Sequence, residues 1–179
     1  MTTKDKSDND SAEYLQLKAA SAKKIGKLSV GSIHYQILSD KAKVNLFLRV
    51  TGNDGGGYFS QELVSMQEIE RCLKSRSGAD PFPSKVLMDV FVGRSANNAG
   101  FLAAILRAEG ILSAAPDTET QHVFTGDMVK FKKACLAEPG TPIVISSAKP
   151  EKSIPAQIAV PEAEHTEDRK TLKITKKPS

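Results

Sequence analysis

The chain has 179 residues and a mass of 19.3 kDa, and its 40% apolar and 26% charged residues are those of one folded domain with one core. A net charge of +4 leans basic without by itself pointing to nucleic acid. No apolar run approaches the ~20 residues that a membrane-spanning helix needs and the polar opening lacks a secretory signal, so the expectation is a cytoplasmic protein with no membrane partner.

In chain order, residues 1–12 are small and charged and are expected to form a disordered arm. Residues 13–24 are rich in Ala, Leu and Lys, all good helix formers, and predict a short helix behind Ser11. Leu28, Val30, Ile33, Tyr35 and Ile37 alternate with a change of parity at Gly31 and Ser32, which predicts a strand carrying a β-bulge. After the polar turn at 39–42, Val44, Leu46, Leu48 and Val50 alternate cleanly and predict a second strand, paired with the first as a hairpin.

The glycine run at 52–57 predicts a loop, and Tyr58 with Phe59 the start of a short third strand. Ser65 and Glu68 have capping-box spacing and open a helix to about residue 76. Pro81 and Pro83 stiffen the next connection, and Ser84 is expected to cap a second helix ending at Gly93. A third helix follows over 96–109, with Phe101, Leu102, Ile105 and Leu106 on one face and Gly110 as its stop. Ile111 and Leu112 with 122–125 suggest a hairpin, and Asp127 can cap a last helix over 128–137 before Glu138, Pro139 and Gly140 terminate the fold. The tail 146–179 contains prolines and mixed charges and is expected to be disordered, with Arg169, Lys170, Lys173, Lys176 and Lys177 concentrating positive charge at its end.

The reading is therefore an α+β domain over 13–145. Its N-terminal antiparallel hairpin or small sheet precedes a three-helix half with a β-hairpin wing, which resembles a winged helix in the order of its elements. Within it, 84–125 is a helix-turn-helix candidate followed by the wing. In that arrangement the helix after the turn reads the major groove. The candidate nucleic-acid-binding residues are Arg94, Ser95, Asn97, Asn98 and Arg107, with His122 at the wing and Lys173, Lys176 and Lys177 in the tail. Asn can pair with adenine bidentately, Arg with guanine or phosphate, and the small residues Ala96, Gly100, Ala103 and Ala104 allow close approach. The bland alternative is that Ser95 and the asparagines cap the helix while its small face packs beneath the hairpin of residues 28–50.

Other chemistry has little support. Cys72 and Cys135 stand apart with no C-x-x-C spacing, and His34, His122 and His165 are scattered without metal-ligand spacing, so no metal or other cofactor is indicated. The glycine run lacks the G-x-x-x-x-G-K-[ST] pattern of a phosphate loop, and no serine lies in a G-x-S-x-G turn. The tail segment 171–177 alternates apolar and basic groups and could add a strand to a partner's sheet or touch phosphates. The functional expectation is a regulatory or accessory protein that contacts double-stranded DNA. A non-enzymatic protein-interaction adaptor or inhibitor is the alternative, and a small hydrolytic enzyme comes third.

Overall fold

The segment expected to be the N-terminal helix is a strand. In the computed structural model, which describes residues 11–26, 29–74, 76, 80–93 and 95–146, the Ala- and Lys-rich residues form β1 (Ser11–Lys23). It runs between two neighbours: Leu15–Lys23 pair with β2 (Ser32–Ser39) on one edge and Ser11–Gln16 with β8 (Thr141–Ser146) on the other. Helix propensities differ by only a few tenths of a kcal/mol per residue among these types, so the ladders to β2 and β8 outweigh them.

Together with β3 (Leu46–Asn53) and β4 (Val64–Ser65) these strands make a five-stranded antiparallel sheet in the order β4-β3-β2-β1-β8. The bulge expected near Gly31 is not within a strand, because β2 begins at Ser32, directly after Gly31 at φ 88°. Register shifts fall instead at Leu17, between Gln16 and Lys18 on β1, and at Thr51 on β3, where His34 faces Gly52 and Tyr35 faces Val50. Ile33, Tyr35 and Ile37 with Leu46, Leu48 and Val50 line one buried face of the sheet.

The helical part follows: α1 (Met66–Lys74), β5 (Phe82–Pro83), a 3-10 helix (Ser84–Val90), α2 (Asn98–Ala108), β6 (Leu112–Ala115), β7 (Thr118–Phe124) and α3 (Met128–Ala137). Ser65 Oγ accepts the Gln67 N–H at 3.2 Å, while Glu68 pairs with Arg71 rather than closing the capping box. Ser84 does not cap. Pro83 holds the cap position with no side-chain bond, and the Ser84 hydroxyl is held by His122. Asp127 does cap α3, accepting from Val129 N and Lys130 N at 2.9 Å. The second, three-stranded sheet has the order β5-β7-β6. The fold does not terminate at Gly140, since β8 follows at once and completes the first sheet.

α2 ends in a Schellman turn: Ile111 N–H bonds to Leu106 O at 2.9 Å and Gly110 N–H to Arg107 O at 3.0 Å, with Gly110 at φ 70°. Its side chains from Asn98 to Leu106 are buried except Gly100, because the helix packs on β1 and β2 as well as on β6 and the 3-10 helix. One hydrophobic cluster therefore joins Ile33, Ile37 and Leu48 of the sheet to Leu73, Leu87, Leu102 and Ile105 of the helices. No helix among the described residues is long and apolar enough to cross a membrane.

Candidate functional site

At one end of the five-stranded sheet residues 24–26, 29–32, 53–62, 91–93 and 95–98 come together. The stretch 53–62 begins as an Asx turn, in which Asn53 Oδ1 accepts the Gly55 N–H at 3.3 Å and its amide reaches back to the carbonyls of Gly56 and Gly57. Asp54 then ties the turn to β2. Its Oδ2 accepts the Ser32 N–H at 3.0 Å, and Oδ1 lies 2.7 Å from His34 Nε2. These bonds, that from His34 first, hold the Asp54 carboxyl below the usual carboxylate range.

The residues 95–98, expected to face DNA, turn toward this loop. Ser95 Oγ and Asn97 Nδ2 both donate to the Tyr58 carbonyl, at 2.8 and 2.9 Å. Asn98 is 1% exposed. Its Oδ1 accepts the Ser60 N–H and its Nδ2 donates to Gly93 O, both at 3.0 Å. Glu62 completes the clamp by accepting the Val92 and Gly93 N–H groups at 2.9 and 3.1 Å. Tyr58 is thus loop rather than the start of a strand, since two side chains use its carbonyl. Gly57, at φ 90°, permits the approach, for a Cβ there would stand 3.1 Å from Asn97 Nδ2.

What these bonds present is apolar. Phe59 turns in against Phe101, with ring centroids 6.1 Å apart, and Lys24 Nζ lies 5.7 Å from the Phe101 centroid. Tyr58 is 69% exposed, Val30 81% and Val92 91%.

The remaining expected contacts are distributed elsewhere. His122 is not an exposed wing residue but fully buried. Arg107 Nε donates to its Nδ1 at 2.9 Å, and Ser84 Oγ lies 2.7 Å from its Nε2. Because Nδ1 accepts, the neutral ring carries its proton on Nε2 and donates to Ser84. The serine receives a hydrogen bond instead of losing a proton, so these bonds brace the 3-10 helix, β7 and α2 and do not activate a nucleophile. Burial, then the Arg107 charge, pulls the His122 pKa down to about 4. Arg107 Nη2 donates to the Glu119 and Gln121 carbonyls at 2.7 and 2.6 Å. Arg94, Lys173, Lys176 and Lys177 lie outside the described residues.

A second concavity of about 390 Å³ lies between β1 and α3. The Glu109 carboxylate borders it, 2.8 Å from Lys18 Nζ and bonded by the Tyr35 hydroxyl. Burial pushes the Cys135 thiol beside it up to about 11, which keeps it protonated at neutral pH. The Lys18 and Glu109 charges there are paired with each other. Among the described residues no group of three or more His, Cys, Asp or Glu side chains could hold a metal ion.

Sequence reasoning named Ser95, Asn97 and Asn98 as site residues and missed Tyr58, Val92 and Glu62 in that role. The available signal was composition, since 51–60 combines Gly, Asn, Ser and aromatic residues as recognition loops do. In comparisons with models of protein families, with curated proteins and with solved structures, nothing matches this chain.

Proposed function

We propose that the protein is a non-enzymatic protein-interaction module, an adaptor or inhibitor, that engages its partner through the loop end around Tyr58 and Val92. The observation that carries this reading is the direction of the hydrogen bonds from 95–98: they run inward to the loop and leave the Tyr58 side outward, with the residue 69% exposed. Tyr offers a large contact area at low rotamer cost, and Asn, Ser and Gly supply adaptable hydrogen bonds around it. A sheet packed into the same core as α2 gives these loops a rigid base. The cytoplasmic setting expected from the sequence belongs to the same proposal.

Element order favours a second reading, contact with double-stranded DNA. Helices α1, 3-10 and α2, with the β6-β7 hairpin next, follow a winged-helix order. Two facts weigh against it. The face of α2 that would enter a groove is packed on β1 and β2, and residues 108–129, which include the hairpin, hold Glu109, Asp117, Glu119 and Asp127 with no Lys or Arg. Like charges at the would-be wing repel phosphates. The contact would then fall to Asn97, which is exposed, and to Arg94 and the tail lysines.

The two readings separate in one experiment on the full chain. A photo-crosslinking amino acid replaces Tyr58 and, as a control, Asp117 at the hairpin tip. The expected outcome is a discrete protein adduct at 58 that is absent at 117 and lost when Val92→Asp is added. Duplex binding at about 50 mM salt that falls steeply with added salt and weakens in Asn97→Ala would overturn the proposal in favour of DNA.

A further inference from the structure

The two edges of the five-stranded sheet are unlike. At one end β4 has two residues and passes straight into α1, which leaves little backbone to pair. At the other, β8 has six residues, Thr-Pro-Ile-Val-Ile-Ser, and β1 is its one strand neighbour among the described residues. Protein sheets guard such edges with charged side chains, bulges or prolines. β8 has Pro142 near its start and no charge at all, and Val144 at its middle is 64% exposed.

We infer that β8 is the interface for a second copy of this chain, the two strands pairing antiparallel about a two-fold axis at Val144. In that register Val144 meets Val144, and Ile143 of one copy faces Ile145 of the other. A two-fold axis sets each residue near its own kind, so an edge strand carrying charge would repel itself. This uncharged one does not. β-branched residues directly opposite one another are favourable cross-strand partners, and the two sheets become one continuous sheet of ten strands, twice the five of each copy. A strand-edge contact is small beside the area of a permanent dimer, so the association is weak and concentration-dependent, with a Kd on the order of micromolar. The inference is independent of the loop-end partner, which lies at other segments of the chain.

The test is sedimentation of the full chain over a concentration series. The wild type is expected to rise from the mass of one chain, 19.3 kDa, toward twice that value and to stop there. Val144→Lys and Val144→Glu, each at an exposed position, are expected to stay monomeric with unchanged circular dichroism. Mixing the two variants is expected to restore the dimer, because Lys then faces Glu across the axis. The inference is overturned if the wild type stays monomeric up to about millimolar concentration, if it grows beyond two copies, if either single variant still dimerises, or if the mixture does not.

Discussion

Asn98 carries two backbone groups on one side chain, joining Ser60 N–H to Gly93 O at a position 1% exposed. Asn98→Ala strands both and is expected to cost about 2 kcal/mol, read as a lower urea midpoint. Asn97→Ala, at an exposed side chain whose acceptor Tyr58 O is also held by Ser95, is expected to cost less than ~1 kcal/mol. His122 sets a pH dependence. Its folded pKa of about 4 lies below the ordinary 6.5, so the unfolded chain binds the proton more readily. The stability this represents is complete above pH 6.5 and is lost as pH falls toward 4, by as much as ~3 kcal/mol. Denaturation measured at steps from pH 7 to 4 checks the slope, and His122→Gln is expected to flatten it. At this scale the sequence was legible as to which residues matter around the turn, but not as to which way they point. A Ser or Asn offers the same donors and acceptors to a base edge as to a neighbouring loop, and only burial decides between them.

α2 illustrates what periodicity can tell. Its extent and its glycine stop were legible from Phe101, Leu102, Ile105, Leu106 and Gly110. That Ala99, Ala103 and Ala104 on the remaining faces are buried as well was not, because small residues satisfy either an open groove or a close neighbour. Gly100 is the exception in this helix, since a Cβ there would meet nothing within 4 Å. Gly100→Ala is therefore expected to stabilise the protein by about 0.5–1 kcal/mol, seen as a rise in thermal midpoint without change in spectrum. β1 was misread for the converse reason. Its Ala and Lys content speaks for a helix in isolation, and the strands that override it are β2, which begins at Ser32, and β8, at the far end of the domain. Ile143, Val144 and Ile145 did carry a strand signature of β-branched residues. Pro139 and Gly140, just before it, mask that signature by reading as a final stop.

Across the molecule, one hydrophobic cluster takes Ile33, Ile37 and Leu48 from the sheet and Leu73, Leu102 and Ile105 from the helices. A unit so joined is expected to unfold in one step, with the fluorescence of its tyrosines and far-ultraviolet dichroism giving the same midpoint. Leu102→Ala, at a fully buried position, is expected to cost 2–5 kcal/mol, about what such a cavity costs elsewhere, and to shift both probes together. Separate transitions would show that the helical part and the sheet do not share their stability.

β1 and β8 lie side by side although they are the outermost described strands in sequence, with Tyr14 facing Ile143 in their ladder. During synthesis β1 and β2 emerge before β8, so the edge of β1 that β8 covers has no partner from this sheet until residue 146 has emerged. At about 5–20 residues per second this lasts several seconds, and the nascent chain offers β1 to any other strand within reach. A chain truncated before Pro142 lacks the strand that covers this edge and is expected to aggregate more readily than the full chain, which light scattering of the two checks.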